Sequence, residues 1–166
     1  MQDYLADLSN NHNFSGDIYQ DFTTRFVHAT DNSIYQKLPT AIIAPKTITD
    51  IQIMVKLSKS YPDIFFAARG GGTGTNGQSL SAGIIIDLKT HFNKITSTNY
   101  QNNFIEVEPG VILNNVNKSL AEFNYYFPVD ISLMCPLNKA SKRLLIMPKE
   151  VSPPRFLKGP KIDSLG

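Results

Sequence analysis

Arg69-Gly70-Gly71-Gly72-Thr73-Gly74-Thr75-Asn76-Gly77-Gln78 carries five of the ten glycines of the chain within ten positions. A backbone with so few Cβ atoms can reach φ > 0, and a bound group can approach its main chain closely. The stretch reads as a cradle for an anion. Its flanks decide what kind. Ile64-Phe65-Phe66-Ala67-Ala68 is a short apolar run that predicts a buried strand, and Gly83-Ile84-Ile85-Ile86-Asp87-Leu88 predicts another soon after it. The glycine loop therefore joins strand to strand.

That context argues against two familiar phosphate loops. Gly72 to Gly77 matches the dinucleotide pattern GxGxxG, but the pattern has meaning only where it opens a helix and an acid follows about 20 residues on. Gly77 to Gly83 is too short and too rich in Ser and Gly for a helix, and Ser97 stands where the acid is required. No Gly-Lys-Ser/Thr closes the loop as a P-loop demands. A plain surface turn needs one or two glycines, not five beside an arginine.

Composition sets the outer limits. The chain has 166 residues with 42% hydrophobic side chains, enough for a substantial core. No apolar run approaches the roughly 18 residues of a membrane span, and Met1-Gln2-Asp3-Tyr4 lacks the features of a signal peptide, so a cytoplasmic location is the default expectation. Cys135 is the sole cysteine, and His12, His28 and His91 show no metal-ligand spacing. Charge is divided unevenly. Residues 1–130 hold 9 Lys/Arg and 12 Asp/Glu, whereas residues 131–166 hold 7 and 2. The latter segment also contains Pro136, Pro148, Pro153, Pro154 and Pro160. Such a basic, proline-rich tail is expected to be disordered rather than packed, and its thinly spread charges carry no nucleic-acid reading motif.

In chain order, the pattern predicts a weak helix at Tyr4 to Leu8. A second helix is expected from Asp17 to His28, where Ile18, Phe22, Phe26 and Val27 recur at helical spacing. Thr30-Asp31-Asn32-Ser33-Ile34-Tyr35 favours a turn through side-chain-to-backbone bonding. Pro39 to Pro45 is a strand fenced by prolines. Thr47 and Asp50 have capping-box spacing at the head of a helix whose face is Ile51, Met54, Val55 and Ser58. Strand, helix and strand then form a βαβ unit, so the glycine loop leaves the C-terminal end of a parallel strand, where ligands bind in open α/β sheets. Asn93 to Thr98 and Phe104 to Glu108 predict a hairpin with Ile105 and Val107 buried. After Pro109-Gly110, Leu113, Val116, Leu120 and Phe123 mark one face of a covering helix over residues 111–124.

These segments, in this order, resemble the FAD-linked oxidases and dehydrogenases of the vanillyl-alcohol oxidase/p-cresol methylhydroxylase (PCMH) type. The nearest group is the large bacterial D-2-hydroxyacid dehydrogenases, of the D-lactate and D-2-hydroxyglutarate kind. Asp31-Asn32-Ser33-Ile34-Tyr35 and Val107-Glu108-Pro109-Gly110-Val111 share in the resemblance, which covers about residues 14–130. It implies an α+β architecture: the first α/β subdomain of a PCMH-type FAD-binding fold, with a small parallel or mixed sheet and covering helices. A helical lead-in over 1–36 would precede the first half of that domain over 37–130, with the tail at 131–166.

The resemblance also implies FAD. Its pyrophosphate would be held by main-chain N–H groups at Gly70, Gly71, Gly72 and Gly74. Thr73, Thr75 and Asn76 would add side-chain bonds, with Gly77 and Gln78 close to the cofactor; Gly110 either approaches the flavin or is simply the glycine that enters the covering helix. Some relatives tether the flavin through a histidine where Thr73 stands, so binding here is expected to be non-covalent. Arg69 either neutralises phosphate or makes a structural pair with Asp87 or another carboxylate; the sequence leaves both open. The parent reaction implied is hydride transfer from a D-2-hydroxy acid to FAD. In relatives the substrate-binding region follows the part matched here, so the chain is expected to be an N-terminal fragment with no assignable catalytic residue. The alternatives are a non-catalytic flavin-binding module and a subunit completed by a partner chain.

Overall fold

In the computed structural model, which describes residues 1–128 and 143–149, the chain forms two units divided after Phe92, each around its own apolar core.

The first unit opens with α1 (Gln2–Ser9), which buries Tyr4, Leu5 and Leu8 from one face. The buried Tyr4 hydroxyl is satisfied by donating to the Met54 carbonyl at 3.0 Å, and burial pushes its pKa up to about 12. The N-terminus is thus part of the core rather than a lead-in to it. The expected helix from Asp17 is two elements. Asp17–Tyr19 forms β1, and α2 (Phe22–Val27) begins only after Asp21, whose side chain accepts from the Thr24 N–H at 2.9 Å. The helical spacing of Ile18, Phe22 and Phe26 misled because Phe22 and Phe26 are exposed; the capping aspartate marks the real start.

Then follow β2 (Ala41–Ala44), α3 (Ile48–Ser58), β3 (Phe66–Arg69) and β4 (Ile84–Asp87). Their sheet has the order β1-β2-β4-β3, with β1 antiparallel to β2 and both β2 and β3 parallel to β4. The βαβ unit is therefore real in direction, but β2 and β3 are not neighbours. The strand that follows the glycine loop is inserted between them.

The capping box at the head of α3 is present: Thr47 Oγ1 accepts from Asp50 N–H at 3.1 Å, and Asp50 accepts from Thr47 N–H at 2.8 Å. Asp50 also takes the N–H groups of Ser15 (2.7 Å) and Lys46 (2.9 Å) and two hydroxyls, which makes it a buried hub. Burial would raise its pKa, yet these donors outweigh it and hold the carboxyl below the ordinary value. The buried face of α3 centres on Met54, with Ile53 and Leu57 half-buried beside it, while Val55 is exposed. The expected face was rotated by about one position.

The second unit contains β5 (Ile95–Asn99), β6 (Phe104–Val107), α4 (Leu113–Ala121), β7 (Tyr125–Tyr126), β8 (Arg143–Leu145) and β9 (Met147–Pro148). The predicted hairpin is β5–β6, with Ile105 and Val107 buried. Helix α4 buries Leu113, Val116 and Leu120 with them, whereas Phe123 lies beyond its end and is exposed.

The expectation of an unpacked tail does not hold at residues 143–149. Strand β8 pairs antiparallel with β6, β9 pairs with β7, and Ile146 between them is buried in the core. Pro148 is tolerated because it ends a two-residue strand on a short two-stranded ladder. The remainder of the expected tail, with Cys135, lies outside the described residues.

Candidate functional site

The glycine loop starts where the sequence places it, at the C-terminal end of parallel strand β3. It must return to the start of β4, its own neighbour, without a helix, and closes through Gly83. A Cβ at Gly83 would lie 2.5 Å from the Phe65 carbonyl oxygen, which itself accepts from Ile84 N–H at 3.1 Å. No side chain fits there.

Within the loop, Gly72 and Gly77 have φ of +66° and +71°, the left-handed region in which glycine carries no penalty. Gly72 and Gly74 are buried, while Thr75, Asn76 and Gln78 are exposed. Gly70, Gly71 and Thr73 are half-buried between them. The Gln78 side chain folds back over the loop: a Cβ on Gly74 would meet its amide nitrogen at 2.5 Å, and its Oε1 accepts from Asn76 N–H at 3.1 Å. A neutral carboxamide oxygen is thereby received by a loop N–H, the kind of donor a phosphate oxygen would use.

Arg69 is turned inward. It is 9% exposed, and its guanidinium donates to the carbonyls of Thr30 (2.8 Å) and His28 (3.4 Å). Burial lowers its pKa, with Asp31 and Asp87 acting in the opposite sense. Asp87 is its partner in the β3–β4 register, but that carboxylate accepts from Lys89 N–H and the Thr90 hydroxyl. Main-chain carbonyls thus take the hydrogen bonds, and the two carboxylates supply counter-charge.

The turn at 30–35 lies against the loop. Ser79 Oγ donates to Asp31 Oδ2 at 3.0 Å, and a Cβ on Gly77 would meet the Tyr35 ring at 3.1 Å. Burial would raise the Asp31 pKa, but bonds from Ser33 and Ser79 and the Arg69 charge hold it below the ordinary value. Sequence reasoning read this turn correctly as a turn and did not connect it to the loop; Asp31, Tyr35, Ser79 and Gly83 are the residues it missed. An Asp-x-Ser turn signals local geometry only, and nothing local tells which distant segment it will face. Gly110 belongs to the second unit, where it is buried in the turn ahead of α4.

Among the described residues there is no group of three or more His, Cys, Asp or Glu side chains that could hold a metal, and no helix long and apolar enough to cross a membrane. His28 and His91 have ordinary partners, the Thr24 carbonyl and Asp17.

The chain is similar to known proteins over most of its length. The D-2-hydroxyglutarate dehydrogenase of Haemophilus influenzae is 43% identical over 132 residues, which is 78% of this chain and 13% of that protein. Its Escherichia coli counterpart is 40% identical over 121 residues, 72% of this chain and 12% of that protein. The chain thus spans about one eighth of the length of these curated relatives. Among solved structures, an alkyldihydroxyacetonephosphate synthase superposes with a TM-score of 0.66 at 16% identity, covering 82% of this chain and 28% of that one. Physcomitrella patens BBE-like 1 gives 0.64 at 19%, covering 76% and 28%. Both share the fold. Residues 39–137 match the family model described as an FAD binding domain, and with the parallel strand, the glycine loop at its C-terminal end and the strand that returns beside it, this chain belongs to that PCMH-type FAD-binding family.

Proposed function

We propose that residues 69–78 receive the pyrophosphate of FAD through main-chain N–H groups, non-covalently, as part of an oxidoreductase acting on a D-2-hydroxy acid. The observation that carries this reading is the Asn76 N–H already given to an acceptor oxygen, that of Gln78, in a loop whose arginine is buried and bonded to the carbonyls of Thr30 and His28. With that guanidinium turned onto protein carbonyls, attraction for an anion falls to the main chain, as in a backbone nest. Thr73 offers a hydroxyl where a covalent attachment would require a histidine or comparable nucleophile. Thr75, Asn76 and Gln78 are exposed and can add side-chain bonds.

When bound, FAD supplies the electron acceptor for oxidation of the hydroxy acid. The residues described here bind and orient the cofactor, and groups that handle the substrate are not assigned to this chain. Because the chain spans about one eighth of its curated relatives, turnover is proposed to require a further region or a partner chain, with the 37–130 segment as the cofactor-binding part. The proposed compartment is the cytoplasm.

The test is titration of the purified chain with FAD, followed by flavin fluorescence and melting temperature. Saturable binding with stabilisation is expected, since a ligand that binds only the folded form raises its stability. Gly71→Val is expected to abolish that binding, because a branched side chain would fill the approach to the main chain and restrict φ. No binding by the parent chain, or unchanged binding by Gly71→Val, would remove the loop from the site. Robust oxidation of D-lactate or D-2-hydroxyglutarate by the isolated chain would refute the need for a partner.

A further inference from the structure

Arginine beside a phosphate cradle invites the assumption that it grips phosphate. The geometry points elsewhere. A Cβ on Gly72 would lie 2.2 Å from Arg69 Nη2 and 2.6 Å from its Cζ, so the guanidinium lies directly against the loop backbone on the protein side. From there it reaches the carbonyls of Thr30 and His28. Asp31 and Asp87 favour its charge, and its hydrogen bonds go to protein carbonyls.

The segment it reaches is itself well fixed. Thr30 bridges to Gln36, Ser33 N–H donates to Asp31 Oδ1 at 2.9 Å, and Tyr35 N–H donates to Ser33 Oγ at 3.1 Å. Two further ties join it to the loop: the Ser79 hydroxyl on Asp31, and the Tyr35 ring against Gly77. The loop has no helix of its own to stiffen it, so order must be borrowed from a neighbour.

We propose that Arg69 is a positioning residue, bracing the glycine loop against the 28–35 turn, and that this turn forms the outer wall of the cofactor cradle through Asp31 and Tyr35. The proposal rests on the reading of the loop as the FAD pyrophosphate site. It assigns affinity to main-chain donors whose geometry Arg69 maintains, and predicts that losing Arg69 disorders the loop rather than removing a charge from the ligand.

Two readouts on the full chain test it. In Arg69→Met, which keeps a stem of similar length without the guanidinium, amide hydrogen exchange without ligand should quicken at 28–35 and 70–80 and stay unchanged at 95–107. FAD affinity should fall about tenfold, a loss of about 1.4 kcal/mol, and by the same factor at low and high salt. Unchanged exchange would overturn the proposal. So would a loss of affinity that disappears at high salt, the behaviour of a direct charge contact that ions screen. Should Arg69→Met fail to fold, Arg69→Lys, which keeps the charge without the planar guanidinium that reaches Thr30 and His28, is read in the same two ways. If the parent chain takes up no FAD while exchange quickens as stated, the flavin reading fails and the brace stands.

Discussion

Replacing Gly72 by alanine puts a methyl group 2.2 Å from Arg69 Nη2 at a backbone φ of +66°. Two costs follow. The left-handed conformation costs an alanine about 1 kcal/mol. Relief of the overlap requires the guanidinium to move, and because that group is buried, it cannot simply swing into water; its bond to Thr30, a hydrogen bond from a charged donor, is worth about 2 kcal/mol. The expected destabilisation is therefore about 3 kcal/mol, a fall in Tm on the order of 10 °C for a chain of this size. Urea denaturation of Gly72→Ala, Arg69→Met and the double variant separates the two parts. With the guanidinium gone, alanine should cost only the backbone part, leaving a coupling of about 2 kcal/mol between the sites. Additive effects within about 0.5 kcal/mol would show that Gly72 is not glycine on account of Arg69, and the brace would lose its main support.

Gly83→Ala should destabilise the chain by about 3 kcal/mol, measured by denaturant titration, because its Cβ meets a carbonyl oxygen that is already bonded in the β3–β4 ladder and cannot yield. Asp50→Asn should cost about 2 kcal/mol by the same method, since an amide accepts poorly at five donors that a carboxylate satisfies. The folded pKa of Asp50 lies below its unfolded one, so its contribution is complete above the unfolded value of about 4 and is lost as pH falls through the folded value; a melting profile against pH should show a shallower acid limb in the variant. Ile146→Ala should cost about 3 kcal/mol in the melting of the second unit, and a neutral result would mean that residues 143–149 do not contribute to its core.

What the sequence reveals and conceals follows from the range of each interaction. The capping box at Thr47 and Asp50, the hairpin at 95–107 and the buried stripe of α4 were legible because each is decided within a few residues. Strand β1 was not. Asp17-Ile18-Tyr19 is too short to show a period, and its pairing with Ala41–Ala44 is a tertiary fact. The insertion of β4 between β2 and β3 was equally hidden, since all three runs are apolar and nothing in them encodes which two adjoin. The tail misled by averaging. Its proline and lysine content describes residues 131–166 as a whole and masks Leu144-Leu145-Ile146-Met147, a run with the character of a strand. In the site, the loop itself was legible, while the orientation of Arg69 was not: the sequence left phosphate and protein equally available to it, and burial decided for the protein.

The topology also changes what the glycines mean. Parallel neighbours are ordinarily joined by a helical crossover, because the chain must travel back the length of a strand, about 13 Å for four residues. Between β3 and β4 a bare loop makes that journey. Gly72 is required by Arg69, Gly77 by its φ and by Tyr35, and Gly83 by the Phe65 carbonyl, each of them a demand of the protein on itself. Glycine richness alone is thus no measure of ligand binding, since much of it serves the crossover. The case for the cofactor rests on where the crossover emerges, at the C-terminal end of a parallel strand with exposed Thr75, Asn76 and Gln78, and on an N–H that already holds an acceptor oxygen. Gln78→Ala discriminates between the two roles. If the loop is built for an anion, removing the carboxamide frees the Asn76 N–H and leaves the glycine backbone in place, so the ligand-free chain should lose little stability and still bind FAD. If Gln78 serves only to close the crossover, the same change should lower Tm with no FAD-dependent recovery.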